Sequence, residues 1–226
     1  MINKQPILIT GIPRSGTSMI AAAINVCGAF GGRMSRRGMY NNDAIREDIV
    51  KPYMERMGAD PEGQYNFPMD ISIPINWAEK VEEIILSQGY KEGNWMYKDS
   101  RSSLIWQTWA HAYPNAKWVI VRRKTPDVIN SCMKTGYMNA YATELGWLGM
   151  VHEYEKRFVE MITEGLNCKQ IWPERMVQGN YDQLREVLDW LDLEWSEQAL
   201  EYINPLLWSN NKERSKLCQY EQQQQK

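Results

Sequence analysis

Residues 6–18 read "PILITGIPRSGTS". An apolar run ends at Gly11. A second glycine, Gly16, closes the turn, and "TSMIAAAINVC" (Thr17 to Cys27) then reads as a helix that Gly28 stops. A buried strand, a glycine turn and a helix start together make an anion site. The first-turn amides have no intrahelical acceptor, and the helix dipole favours negative charge. Gly11 and Gly16 occupy the glycine positions of the nucleotide-triphosphatase loop G-x-x-x-x-G-K-[ST], but Thr17 stands where that loop has lysine. The dipole alone contributes about 0.3–1 kcal/mol, rising to about 2 kcal/mol when partly buried. The charge must therefore come from elsewhere. Arg14, inside the loop, supplies it, and Thr17 and Ser18 add hydroxyls. The missing lysine weakens the case for gripping β- and γ-phosphates.

Outward from this loop, strands and helices alternate. "NWMYK" (Asn94 to Lys98) and "KWVIV" (Lys117 to Val121) read as buried strands, and "ERMVQ" (Glu174 to Gln178) as a fourth. Helices are expected from Asn42 to Met57, Asn76 to Ser87, Ser102 to Tyr113, Thr125 to Lys134 and Thr143 to Glu164. Leu184, Val187, Leu188 and Leu191 mark one more by their i, i+3, i+4, i+7 spacing. The alternation predicts an α/β fold: a P-loop-type, mostly parallel sheet flanked by helices, in a single domain over 1–226, with 220–226 a frayed tail.

Composition bounds the function. A net charge of −2 gives no reason to expect a nucleic-acid partner. Four dispersed cysteines and two histidines suggest neither a disulfide framework nor a metal site. No stretch has the length of a membrane helix, and no signal peptide is recognisable, so a cytoplasmic protein without a membrane partner is expected. Ten Trp and twelve Tyr against three Phe suit core and cleft lining, or an acceptor with a ring or sugar face. Oligomeric state is not legible.

"PRSGTS" (Pro13 to Ser18) resembles the 5′-phosphosulfate loop of sulfotransferases, P-[KR]-S-G-T-[TS], which accounts for the threonine at 17. A second signature of that family is an Arg after a strand with a Ser eight residues later on the next helix, and Arg123 and Ser131 in "VIVRRKTPDVINS" have that spacing. An Arg at a strand's C-terminal end and a Ser in the following helix can converge on one phosphate at the sheet edge. Arg122 points elsewhere by strand alternation. "YKDSRSSLIWQTWAHAYPNAKWVIVRR" looks like the tyrosylprotein branch and many bacterial members, with Lys98 and Asp99 matching K-D-P and Ser100 replacing the proline. "VQGNYDQLREVLDWLDLEW" resembles the family's Y-E-D-L … F-L-G-L stretch, apart from Asn180 and Asp192. Together these segments cover roughly a quarter of the chain.

The resemblance implies 3′-phosphoadenosine 5′-phosphosulfate (PAPS) as donor and adenosine 3′,5′-bisphosphate as product. Arg14, Ser15, Gly16, Thr17 and Ser18 would hold the 5′ end, and Arg123 and Ser131 the 3′-phosphate. Lys98 and Arg14 would be the catalytic cations, with no metal, and the acceptor a small molecule, sugar or peptide. The chain departs from the family at the base. Many bacterial relatives read G-[FYW]-[WY]-E-N, whereas "GMYNND" (Gly38 to Asp43) puts Asn41 in place of the Glu. Asp43 is the first substitute, with Glu47, Asp48, Asp99 and His111 behind it, although a lone His in a Trp-rich helix is usually packed. "RMSRRGM" clusters Arg33, Arg36 and Arg37, either over the site or in a solvated loop, and Lys212 or Arg214 would be a further contact to the 3′-phosphate. A kinase with an altered loop and a non-catalytic bisphosphate-binding module stay open as alternatives.

Overall fold

The computed structural model of the chain describes residues 2–35 and 39–203; Arg36, Arg37, Lys212, Arg214 and the 220–226 tail lie outside the described residues. Four strands are present among the described residues: β1 (Ile7–Gly11), β2 (Met96–Lys98), β3 (Lys117–Val121) and β4 (Cys168–Ile171). They form one sheet in the order β2-β1-β3-β4, with every neighbouring pair parallel. Alternate side chains of β1 and β3 enter different cores. Leu8, Trp118 and Ile120 face one, while Ile7, Ile9, Val119 and Val121 face the other. Burial on both faces explains why these strands read as unbroken apolar runs.

In chain order the helices are α1 (Thr17–Val26), α2 (Asp43–Ile45), α3 (Lys51–Arg56), α4 (Trp77–Ser87), α5 (Trp106–Ala112), α6 (Thr125–Met133), α7 (Glu144–Thr163), α8 (Pro173–Val177), α9 (Asp182–Trp190) and α10 (Ala199–Tyr202). The core on one face takes Ile20 and Ile24 from α1, Leu184, Val187 and Leu188 from α9 and Ala199 from α10. The other takes apolar residues of α4, α5, α6 and α7. The result is a helix–sheet–helix sandwich, as the alternation of elements requires. A π turn (Arg46–Val50) joins α2 to α3, and a 3₁₀ turn (Ser100–Ser103) follows β2.

The aromatic surplus is spent largely in the second core. Trp109 packs edge-on against Trp77 at 5.3 Å between ring centroids and stacks on Tyr97 at 5.1 Å. Such rings bury large apolar areas, and deleting one from a core costs about 3–5 kcal/mol. The sequence expectation needs correction in two places. The fourth strand is β4, and the expected strand at Glu174 to Gln178 is instead helix α8 and its C-cap. Pro173 explains the helix, because its missing N–H costs nothing at the first helical position and its fixed φ suits it. His111 is exposed, not packed.

The register sets up the site. Ile9 pairs with Lys98 and Gly11 with Val121. Lys98 and the Arg123 segment therefore leave the sheet on opposite sides of the loop that follows β1, at the strand ends where parallel α/β sheets hold ligands.

Candidate active site

The loop after β1 is possible only with glycine at its base. A Cβ on Gly11 would lie 2.6 Å from the Val121 carbonyl oxygen and 2.7 Å from Ser15 Oγ. Gly16 caps α1 at φ 99°, and Arg14 itself sits in the left-handed region at φ 74°. A non-glycine residue there costs about 1–2 kcal/mol, and such outliers gather where a ligand is gripped. The first amide of α1 to bond backwards is that of Met19, to the Gly16 carbonyl at 3.0 Å. The amides of Gly16, Thr17 and Ser18 open the turn ahead of it. Ser15 Oγ is buried and has no hydrogen-bond partner among the described residues. A buried hydroxyl in that state normally has a ligand or water to meet.

Three of the residues expected at the donor site converge. Arg14 Nε donates to Ser131 Oγ at 3.1 Å, and Arg123 Nη1 donates to the Arg14 carbonyl at 2.9 Å. Burial pulls the pKa of Arg123 down, with Arg14 pushing the same way and Asp127 and Glu174 opposing. Two arginines anchored on one loop beside a helix N-terminus suit an anion. Arg122 points away. Its Nη2 pairs with Glu155 at 2.5 Å, and its guanidinium covers the Phe158 and Trp172 rings.

Lys98 answers the missing loop lysine. It is 6% exposed, and its Nζ donates to Ser18 Oγ at 3.3 Å. Ser18 Oγ in turn donates to the Met39 carbonyl at 3.0 Å. The neighbouring strand thus delivers to the loop an ammonium that position 17 does not carry. Asp99, next in sequence, is buried and fully engaged: it accepts from Tyr97 Oη at 2.9 Å and the Arg101 amide at 2.9 Å, and pairs with Arg101 Nε at 3.0 Å. Burial alone would raise its pKa. The Arg101 guanidinium, with the amide, the Tyr97 hydroxyl and Lys98, outweighs burial and holds the carboxyl below its ordinary range.

A cavity of about 1450 Å³ opens above the loop. Single-ligand pockets are typically about 300–1,000 Å³, so a nucleotide and a second substrate both fit. Arg14, Gly16, Thr17, Ser18, Asn41, Asp43, Lys98 and Arg123 all line it. Asn41 is buried, and its carbonyl accepts from the Ser35 amide at 2.8 Å. Asp43 pairs with Arg46 Nη2 at 2.7 Å while 47% of its side chain stays accessible. Asp48 and Arg33 also line the cavity, and both are exposed. Glu47 and His111 are not among the lining residues. Among the described residues no group of three His, Cys, Asp or Glu side chains could hold a metal ion. No helix among them is long and apolar enough to cross a membrane.

Sequence reasoning missed Tyr137 and Gln64. Tyr137 Oη accepts from Arg14 Nη1 at 2.8 Å, with the guanidinium 5.8 Å from the ring centroid. Gln64 holds the Tyr137 segment in place. Its Nε2 donates to the Tyr137 carbonyl at 3.0 Å, and its Oε1 accepts from the Asn139 and Ala140 amides at 3.1 and 3.3 Å. Asp60 braces Gln64 by accepting from its amide at 2.7 Å. No sequence signal links positions 73 residues apart.

The sulfotransferase family model matches residues 6–197. A Caenorhabditis briggsae protein named "Putative protein-tyrosine sulfotransferase" is 21% identical over 218 residues, which is 88% of this chain and 69% of that protein. The fold is similar to the crystal structure of sulfotransferase STF9 from Mycobacterium avium (TM-score 0.59, 12% identity), over 88% of this chain and 66% of that one. It is also similar to the sulfotransferase domain of the Synechococcus PCC 7002 olefin synthase (TM-score 0.61, 15% identity), over 96% of this chain and 95% of that one. The chain therefore spans about two thirds of the length of the worm and mycobacterial proteins.

Proposed function

The chain belongs to the sulfotransferase family, and from that premise we propose that it moves a sulfonate group from PAPS to a hydroxyl or amine acceptor, releasing adenosine 3′,5′-bisphosphate. The observation that carries this reading is the meeting of Arg14, Ser131 and Arg123 on one side of the glycine loop, with Lys98 on the other. The orphaned Ser15 hydroxyl, the Gly11 position that admits no side chain and the open first-turn amides fit a phosphate at the 5′ end. Arg123 and Ser131 fit a second phosphate at the 3′ position, the group that separates this donor from ATP.

The donor supplies a sulfonate already bonded to a good phosphate leaving group. The protein supplies position, cations and a base. In the transfer, the acceptor's O–S (or N–S) bond forms as the bond from sulfur to the 5′-phosphate oxygen breaks, and that electron pair stays on the phosphate. Lys98 and Arg14 meet the charge that grows there. Charge met only in the transition state lowers the barrier without tightening the ground state. The acceptor's proton passes to Asp43, which is half-exposed on the cavity wall and fixed by Arg46. Asp99 is unsuited to that task because three donors already hold its charged form.

Calorimetry is the direct test. Adenosine 3′,5′-bisphosphate should bind well ahead of ATP with or without magnesium, and tighter ATP·Mg²⁺ binding would sink the reading in favour of a kinase. In transfer assays with PAPS, Lys98→Ala should lower kcat by about 10²–10³-fold with bisphosphate affinity changed far less.

A further inference from the structure

The wall of the cavity on the β2 side carries a ladder of alternating charges. Asp43 pairs with Arg46 at 2.7 Å, Arg46 with Glu47 at 2.7 Å, and Glu47 with Lys51 at 3.1 Å. Lys51 then pairs with Glu62 at 2.7 Å, Glu62 with Arg101 at 3.3 Å, and Arg101 with Asp99 at 3.0 Å. Every member except Glu47 lines the cavity. The π turn at Arg46–Val50 builds one end of the ladder, setting Glu47 between Arg46 and Lys51. Single π turns inside helices are frequent at functional sites.

Sheet order assigns this wall to the acceptor. The donor residues Arg123 and Ser131 follow β3, on one side of the glycine loop. The ladder lies beyond Lys98, on the β2 side, and begins at Asp43.

The ladder's charge balance limits what can bind there. Each of its cations already sits between two carboxylates, and the seven members sum to three positive and four negative charges. Asp48 adds a further negative lining residue. Arg33 stands apart at the exposed rim, where its amide bonds Gln88. An acidic acceptor would have to break an existing pair or lie against carboxylates, the like-charge clash by which sites reject partners. Aromatic surface is sparse as well. Among the described residues the only aromatic side chains lining the cavity are Tyr40, Tyr137 and Tyr202. Tyr137 is on Arg14, and Tyr40 packs against Tyr202 of α10. No ladder member is aromatic, so a phenolic ring laid against it would strip water from charges with no ring of the ladder to stack on.

What the ladder does present is a row of fixed donors and acceptors whose cations are already paired. Paired carboxylates keep lone pairs free, and guanidinium groups keep N–H groups free. Neighbouring hydroxyls, each both donor and acceptor, match that row. We infer that the acceptor is an uncharged, hydroxyl-dense molecule, a sugar hydroxyl, bound along the Asp43-to-Asp99 ladder by hydrogen bonds. The inference rests on the sulfonate-transfer reading. The sugar oxygen bonds to sulfur as the phosphate leaves, and its proton goes to the Asp43 end of the ladder.

The test is a PAPS transfer assay with mass detection on three probes: neutral hexoses and N-acetylhexosamines with their disaccharides, a tyrosine peptide flanked by acidic residues, and 4-nitrophenol. A saccharide should be the best acceptor, by at least about ten-fold in kcat/KM. Glu62→Gln frees Lys51 and Arg101 from a shared carboxylate. It should cut saccharide kcat/KM by about 10- to 100-fold, chiefly through KM, and improve the acidic peptide. Bisphosphate affinity at the wild-type value shows that the variant is folded. If Glu62→Gln does not fold, Lys51→Met takes its place, and it should weaken saccharide use while rejecting the peptide more strongly. A wild-type preference for the peptide or the phenol, no saccharide use despite tight bisphosphate binding, or an unchanged acceptor ranking in the folded variants each overturns the proposal. Loss of bisphosphate binding in the wild type overturns the donor reading instead.

Discussion

Arg123→Ala should remove two interactions at once, and they can be separated. The first is the bond from Nη1 to the Arg14 carbonyl at 2.9 Å, which helps hold Arg14 at φ 74° and so shapes the 5′ loop. The second is the charge that the proposed donor site would offer a 3′-phosphate. A hydrogen bond involving a charged group contributes about 1.5–3 kcal/mol, so losing the phosphate contact is worth about 10- to 150-fold in affinity, while losing the bond within the protein weakens binding by no more than that. AMP, which lacks the 3′-phosphate, should feel only the loosened loop. Adenosine 3′,5′-bisphosphate should feel both and lose about 1.5–6 kcal/mol. The preference for bisphosphate over AMP should therefore shrink by about 10- to 150-fold. Calorimetry of both ligands on both proteins at one ionic strength reads these numbers directly, since phosphate contacts are screened by salt. Equal losses for the two ligands would refute the 3′-phosphate role and leave Arg123 a brace for the loop. An unchanged AMP affinity would refute the brace.

Tyr137 should act through Arg14. Tyr137→Ala should weaken bisphosphate binding by about 3- to 10-fold and Tyr137→Phe by less, and an Arg14→Ala background should abolish both effects in a double-mutant cycle by calorimetry; additive losses would contradict the contact. Asp99→Asn should destabilise the fold by about 3–5 kcal/mol at neutral pH, because it leaves buried Arg101 short of a partner. The folded pKa of Asp99 is depressed, so its contribution is present above the unfolded value of about 3.9 and is lost as pH falls through the folded value. Denaturant titrations should then show the gap between wild type and Asp99→Asn closing in acid, and a gap that widens as pH falls would have the sign wrong. Asp43→Asn should remove most of the rate in a PAPS transfer assay. In the same assay Asn41→Glu should add little if Asp43 is the base, whereas a large gain would show that the base had been lost with the glutamate.

The sequence alone was enough for the strand–loop–helix at the N-terminus. Its signals are local: an apolar run, two glycines and a helical stretch within Pro6 to Cys27. The Arg123 and Ser131 spacing was legible for the same reason, since one strand end and the next helix lie within a single turn of chain. The fourth strand was misplaced because β4 is a half-exposed edge with no apolar period, while Pro173, just before the stretch mistaken for it, starts a helix there. The aromatic surplus was ambiguous, and only packing sent Trp77, Trp109 and Trp147 to the core. Lys98 could be named from its motif, but its bond to Ser18, 80 residues away, comes from the parallel pairing of β1 with β2. Tyr137 and Gln64 had no local mark at all, and although the ladder's Asp43–Arg46 and Glu47–Lys51 pairs lie at helical spacing, its links from Lys51 to Glu62 and from Glu62 to Arg101 join separate segments. A linear pattern records the period of one element. The meeting of a π turn, a loop after Asp60, the turn after β2 and the segment after α6 at one cavity is decided by sheet order and by the helices that cover it.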